Sequence, residues 1–147
     1  MLHIIKTLSD PLLHLLNDDP VRPEIPKEFR ISENSEIIVS KDELDEPTAV
    51  VCVQYRNSVP RSKQELVEYT HTKDSDSVAV FYTIWSYRAG AGRSLINSAR
   101  KHIETTRPTV RQYVTLSPKT EMARTFHLRN GASVLNDNPD SVNYWYK

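Results

Sequence analysis

Residues 78–106 decide the fold, and they read VAVFYTIWSYRAGAGRSLINSARKHIETT. The segment from 78 to 85 is continuously apolar, β-branched or aromatic, which predicts a strand buried on both faces. Four apolar side chains further along recur at helical spacing between polar ones: Leu95, Ile96, Ala99 and Ile103. They predict an amphipathic helix over residues 94–106, stopped by Pro108. The chain must therefore turn from strand to helix within residues 86–93.

This turn contains Gly90 and Gly92, two of the three glycines in the chain. Alternate glycines remove Cβ where backbone N–H groups turn toward an anion, and the start of a helix adds partial positive charge. Arg88 and Arg93 add full charges. The turn therefore predicts an anion site, with a tight connection whose glycines only relieve positive φ as the alternative. A third glycine for a dinucleotide and the lysine of a nucleotide P-loop are both missing.

Length and composition predict one domain in the cytoplasm. At 147 residues we expect a single domain over 1–147, with a helical or extended segment over 1–27. The 19 basic and 19 acidic residues balance, which argues against nucleic acid and membrane partners. No stretch approaches the ~20 apolar residues that span a bilayer, and no secretory leader is evident. The single cysteine, Cys52, is expected to be a buried thiol.

The rest of the chain alternates strand and helix patterns. Further strands are predicted at 36–40, 48–55, 110–116, 132–135 and 142–146. Shorter helices are predicted at 12–16, 62–69 and 119–129. Three prolines between residues 19 and 26 predict an extended connector, and residues 71–77 predict a polar loop. The histidines are too scattered for zinc-ligand spacing, so no metal site is expected.

The order strand, glycine turn, helix, strand, helix and strand pair resembles the acyl-CoA-binding core of the GNAT superfamily of acyltransferases. A closer similarity is to the GNAT-like, carboxy-terminal catalytic domain of malonyl-CoA decarboxylases. It is carried by the stretches EPTAVVCV (46–53), VAVFYTI (78–84), TLSP (115–118), FHLRNGA (126–132) and VNYWY (142–146). Decarboxylases of this family also have a helical amino-terminal domain and a long segment between the TLSP and FHL motifs, where this chain has residues 119–125.

The resemblance implies an α/β (α+β) fold whose mixed, mostly antiparallel central sheet is flanked by helices. It implies acyl-CoA, either acetyl-CoA or malonyl-CoA, as co-substrate, with no metal and with the CoA pyrophosphate at the glycine turn. The residues predicted to bind CoA are Ile84, Arg88, Ala89, Gly90, Ala91, Gly92, Arg93 and Ser94. Most GNAT enzymes have glutamine or arginine three residues before the first glycine, where this chain has Tyr87.

His127 and Ser117 are the predicted catalytic residues. By its neighbours alone, Phe126 and Leu128, His127 is more typical of a packing residue. The resemblance instead implies that it corresponds to the catalytic histidine of the decarboxylases. An imidazole with an ordinary pKa near 6.5 can exchange a proton at neutral pH. Ser117 follows a predicted strand and precedes Pro118, so its hydroxyl either caps the next helix or takes part in the reaction.

Three functions follow from the resemblance. The first is transfer of an acyl group to an amine of a small molecule or protein, with His127 protonating the departing thiolate. The alternative is conversion of malonyl-CoA to acetyl-CoA and CO2, with Ser117 and His127 holding the malonyl carboxylate and His127 protonating the enolate. The third is a non-catalytic protein, either an acyl-CoA-binding sensor or an adaptor whose partner surface is the polar loop 71–77. The acceptor and the oligomeric state, monomer or homodimer, stay open.

Overall fold

The computed structural model describes residues 1–72 and 76–147. The strands within them are β1 (Leu2–Ile5), β2 (Ser35–Lys41), β3 (Pro47–Arg56), β4 (Val78–Ser86), β5 (Gln112–Thr115), β6 (Ser133–Asp137) and β7 (Val142–Tyr146). A 3-10 helix (Leu13–Asp18) precedes α1 (Lys27–Arg30), α2 (Lys63–Val67), α3 (Ala91–Thr106) and α4 (Glu121–Arg129). Of the loop predicted at 71–77, residues 73–75 lie outside the described residues. No helix described here has the length and apolar character to cross a bilayer.

In the described residues, one seven-stranded sheet runs in the order β1-β2-β3-β4-β5-β7-β6. Neighbouring strands are antiparallel except for β4 and β5. The parallel pair requires a crossover, which α3 provides between the two strands. The predicted mixed, mostly antiparallel sheet flanked by helices is therefore confirmed. The sequence did not predict β1 or α1.

Both faces of the sheet are covered. The predicted apolar face of α3 packs on one of them: Leu95, Ile96, Ala99 and Ile103 are all buried there. Leu13, Leu15 and Leu16 of the 3-10 helix pack on the opposite face. Cys52 is buried in β3, as predicted, and burial raises the pKa of its thiol to about 11. Because β3 and β4 have covered faces on both sides, they are the near-continuous apolar runs that the sequence displays.

The pairing of β4 and β5 ends after four residue pairs, from Val78 with Gln112 to Phe81 with Thr115. On its other edge, β4 pairs residues 81 and 83 with consecutive residues of β3, which leaves Tyr82 as an extra residue. Such a bulge bends a strand, and this one lies where β5 departs. The Ser117 N–H then donates to the Val142 carbonyl (2.9 Å) instead of to β4. A gap opens between residues 82–86 and the segment that follows β5.

Candidate active site

A cavity of about 350 Å³ occupies this gap. β4 lines it from residue 81 to 86, and residues 116–118 line it from the other side. Helix α4 contributes His127 and Phe126, α3 contributes Gly92, and the amino-terminal segment contributes Pro20 and Val21. Of the described residues that line the cavity, none is Asp, Glu, Lys or Arg. A ligand in it therefore contacts neutral donors, neutral acceptors and apolar surface.

The edge of β4 that faces the cavity presents main-chain groups. Tyr87 donates its N–H to the Thr48 carbonyl (2.8 Å), so the odd-numbered residues at this end of β4 bond to β3. Because the direction alternates along a strand, the N–H and C=O of Ile84 point toward the gap. An extended ligand with amide groups can pair with such an edge as an added strand.

The predicted anion turn lies at the start of α3. Gly90 is the residue before the helix and has φ 79°, a left-handed conformation that glycine adopts without strain. Gly92 has a different role: a Cβ there would lie 3.2 Å from the Phe126 ring, so glycine allows α3 and α4 to approach. The N–H groups of Gly92 and Arg93 lie in the first helical turn, which offers them no internal acceptor. The turn thus has the free N–H groups that an anion needs.

The charged side chains at this turn point in different directions. Arg88 forms an ion pair with Asp42 of the loop between β2 and β3. Arg93 is exposed. The Tyr87 hydroxyl donates to Asp18 (2.7 Å) and accepts from the Trp85 indole (3.0 Å), so it is directed toward the amino-terminal segment. Arg93 is therefore available as a source of positive charge, whereas Arg88 must leave Asp42 to contribute.

Ser117 and His127, predicted separately, are in contact. His127 Nε2 lies 3.1 Å from Ser117 Oγ, and its Nδ1 lies 2.7 Å from the Tyr146 hydroxyl. The ring also stacks on Tyr144 at a centroid distance of 4.8 Å. Ser117 Oγ donates in turn to Thr115 Oγ1 (2.8 Å). These bonds form one chain of neutral groups from Tyr146 to Thr115.

The bonds of this chain assign the His127 tautomer. Ser117 gives its one proton to Thr115, so its oxygen accepts from His127 Nε2–H, and Nδ1 accepts from Tyr146. Burial lowers the pKa of His127 to about 4 and raises that of the Tyr146 phenol. Both rings are therefore uncharged at neutral pH, and the pKa of His127 lies below the ordinary 6.5 that we expected from the sequence. A neutral imidazole N–H acts as a hydrogen-bond donor and is a weak acid.

The alternative role of Ser117 as a helix cap is wrong. Helix α4 begins at Glu121, and its cap is Thr120, whose hydroxyl accepts the Ala123 N–H (3.2 Å). Ser117 instead forms the isolated bridge with Val142 and is buried. The Ser117 hydroxyl therefore does not cap α4.

No family model and no curated protein matches the sequence. Solved structures do match. Malonyl-CoA decarboxylase from Rhodopseudomonas palustris superposes with a TM-score of 0.76 at 18% identity, over 99% of this chain and 59% of that one. A putative GNAT-family acetyltransferase from Desulfovibrio desulfuricans gives 0.64 at 13% identity, over 100% and 98%. Arabidopsis thaliana NAA60 in complex with acetyl-CoA gives 0.65 at 14%, over 99% and 98%.

The chain has the GNAT fold. It spans 60% or less of the malonyl-CoA decarboxylase structures that it matches. The identities are low, so the likeness shows the fold alone. The predicted CoA-binding and catalytic residues stay predictions about this GNAT fold.

The amino-terminal side of this GNAT fold is held by a segment that we call the strap, residues 18–30. Asp19 and Arg30 form an ion pair (2.7 Å) with side chains that are 0% and 1% exposed. Asp19 also accepts the Thr83 hydroxyl (2.9 Å), which ties the strap to β4. Arg22 donates to the carbonyls of Tyr82 (3.1 Å) and Leu116 (2.9 Å), one on each side of the gap. The strap therefore covers the gap from the face opposite α3.

Sequence reasoning missed the roles of Thr115, Tyr146, Asp19, Arg22 and Arg30. Tyr146 is buried, and its hydroxyl contacts His127. Asp19, Arg22 and Arg30 lie in or beside a proline-rich connector with no periodic pattern. The one available signal in the sequence was an acidic residue followed by two arginines in an otherwise irregular segment. This signal is weak evidence for an ion pair.

Proposed function

We propose that this chain binds an acyl-CoA in the gap beside β4 and decarboxylates its acyl group, converting a malonyl-type thioester to the shortened thioester and CO2. The observation that carries the proposal is the Ser117–His127 contact, buried and uncharged, at the wall of a cavity whose described lining residues carry no charge. Amine transfer is the second candidate.

In the proposed complex, the pantetheine amides pair with the main chain of Ile84, and the pyrophosphate lies at the N–H groups of Gly92 and Arg93. Arg93 adds charge at this end. The thioester then lies near Ser117 and His127, which line the same cavity as β4. The support for this path is the free strand edge, which leads from the helix start to the Ser117–His127 pair.

The chemistry breaks the bond between the substrate carboxylate and the α-carbon. Its electron pair moves into the thioester carbonyl, CO2 leaves, and an enolate oxygen forms. Donors aimed at this oxygen stabilise the charge as it develops. His127 Nε2–H becomes such a donor when the ligand displaces its bond to Ser117, and the Ser117 hydroxyl becomes one when it rotates away from Thr115. The α-carbon then takes one proton to give the product thioester.

The anionic substrate itself helps to supply that proton. A carboxylate that enters an uncharged cavity favours the protonated form of a neighbouring imidazole, so it raises the pKa of His127 from its low value. His127 then binds a proton together with the substrate and passes it to the α-carbon after CO2 has left. Tyr146 can rotate its hydroxyl and accept from Nδ1–H in the charged state.

The same cavity is less suited to amine transfer. An amine acceptor is a cation at neutral pH and must lose a proton before it attacks the thioester. Among the described lining residues there is no carboxylate to attract it, and the pKa of His127 near 4 makes that imidazole a weak base. Transfer has one specific support: two acetyltransferase structures match over 98% of their length, against 59% for the R. palustris decarboxylase.

The test is to incubate purified protein with malonyl-CoA alone, and separately with acetyl-CoA and a set of amines. Acetyl-CoA formed from malonyl-CoA without an acceptor supports decarboxylation. Acetylated amine with no loss of CO2 from malonyl-CoA refutes it in favour of transfer, and CoA binding with no turnover supports the non-catalytic alternative. His127→Ala and Ser117→Ala should each reduce decarboxylation by about 10²- to 10⁴-fold. Exposed residues of the same types give the controls, His14→Ala and Ser98→Ala.

A further inference from the structure

The strap residue Arg22 spans the opening of the sheet. Its Nε–H donates to the Tyr82 carbonyl at 3.1 Å, and Nη2 donates to the Leu116 carbonyl at 2.9 Å. Tyr82 is the bulged residue of β4, and Leu116 directly precedes Ser117. The last main-chain hydrogen bond between the two sides runs from the Leu116 N–H to the Phe81 carbonyl (3.2 Å), one residue before Tyr82. Arg22 therefore connects the two sides of the cavity at the point where the main-chain pairing of the sheet ends.

The backbone of Arg22 is itself fixed. Its N–H donates to Asp19 Oδ1 (3.0 Å), and its carbonyl accepts from Arg30 Nη2 (2.7 Å). Asp19 and Arg30 are the buried ion pair, and Asp19 is also bound by Thr83 of β4. Arg22 is thus attached to β4 at two points. Its guanidinium bonds to Tyr82, and its backbone bonds to Asp19, which in turn bonds to Thr83. Such a two-point attachment leaves little freedom in the distance between Tyr82 and Leu116.

We propose that Arg22 is a positioning residue that sets the width of the gap between β4 and the Ser117 segment, and so places Ser117 and His127 relative to a thioester lying on β4. This inference rests on the proposed function for its catalytic consequence. Arg22 acts through the two carbonyls that it holds, and it is not itself among the residues lining the cavity.

The residue type suits this task. The guanidinium is planar and presents Nε–H and one Nη–H in a fixed fork, which matches two acceptors side by side. Two carbonyl oxygens facing each other cannot bond to one another and need a donor between them. A lysine carries the same charge on a flexible stem as a single point, so it keeps the electrostatics but loses the fixed geometry. Arg22→Lys therefore separates the effect of spacing from the effect of charge.

The experiment compares wild type, Arg22→Lys, Arg22→Gln and the control Arg111→Lys, an exposed arginine just before β5. With malonyl-CoA, we expect both Arg22 variants to lose kcat by about 10- to 100-fold while KM changes little, because a small displacement of the reacting groups is costly. Hydrogen exchange should become faster at amides 82–86 and 116–118 in both variants and stay unchanged in Arg111→Lys. Ethylguanidinium added to Arg22→Ala should restore part of the lost rate.

Full activity of Arg22→Lys beside an inactive Arg22→Gln would overturn the inference, because charge alone would then suffice. Equal loss of kcat with unchanged amide exchange at both segments would also overturn it. If wild type turns over no thioester, the proposed function fails by itself. Arg22 is then judged by amide exchange alone, where unchanged protection in Arg22→Lys and Arg22→Gln refutes its positioning role and faster exchange confined to the two segments supports it. Urea unfolding of each variant separates these local effects from global loss of stability.

Discussion

The depressed pKa of His127 predicts a specific loss of stability in mild acid. In the native state this imidazole is 4% exposed and its pKa is about 4, whereas in the unfolded chain it returns to the ordinary 6.5. At pH values between these two pKa values, the unfolded chain therefore binds a proton at His127 and the native state does not. Native stability from this group is fully present above pH 6.5, declines as the pH falls toward 4, and levels off below that.

The magnitude follows from the displacement of the pKa. At about 1.4 kcal/mol per pH unit, a shift from 6.5 to about 4 corresponds to roughly 3 kcal/mol. Marginally stable domains have about 5 to 15 kcal/mol in total, so this one side chain should dominate the early part of acid unfolding.

The measurement is urea unfolding at pH values from 8 to 4 for wild type and His127→Gln, which keeps an N–H donor but does not titrate. Between pH 7 and pH 4, wild type should lose about 3 kcal/mol more than the variant. The difference between the two curves removes the contribution of the other titrating groups. His14→Gln, at an exposed histidine, is the control and should follow the wild-type curve. Parallel curves for wild type and His127→Gln, or an NMR titration of His127 near 6.5, would refute the reasoning.

Two substitutions test the surroundings of the cavity. Gly92→Ala places a methyl group 3.2 Å from the Phe126 ring, so we expect the free energy of unfolding in urea to fall by about 1 to 3 kcal/mol. Adding Phe126→Leu in the same chain should restore part of this loss. No recovery in the double variant would contradict the steric explanation. Asp19→Asn leaves Arg30 buried without its counter-charge and should cost about 3 to 5 kcal/mol at pH 7. The exposed pair of Glu24 and Lys63 gives the comparison, since Glu24→Gln should cost less than about 1 kcal/mol. Equal costs for the two carboxylates would show that burial of the ion pair is unimportant.

The centre of the fold was predictable because its signals are local and strong. β4 is an unbroken apolar run, α3 has a clear helical period, and Gly90 lies between them. Each of these features depends on residues close together in the chain, so the sequence pattern alone contains it. The observed bounds of β4 and α3 accordingly lie within three residues of the prediction. β1 was missed because a strand of four residues at the sheet edge is too short to show a period.

The arrangement of the candidate site could not be predicted from the sequence. The motif resemblance singled out Ser117 and His127, yet neither their contact nor the partner hydroxyl of Tyr146, 19 residues further on, follows from any local pattern. The same applies to the protonation state: burial lowers the pKa of His127, and the sequence does not contain the extent of burial. Arg22 is the extreme case, because its partners are 60 and 94 residues away.

The single parallel pair of strands has a mechanical consequence. β1 to β4 are built from residues 2–86 and β5 to β7 from residues 112–146, and these two parts of the sheet share a ladder of four residue pairs. A ligand bound along β4 and against α4 contacts both parts at once and so holds them together. Its binding energy then adds to the cohesion of the sheet, increasing with ligand concentration as linkage requires. In the proposed complex, the acyl-CoA would therefore stabilise the folded protein in addition to reacting there.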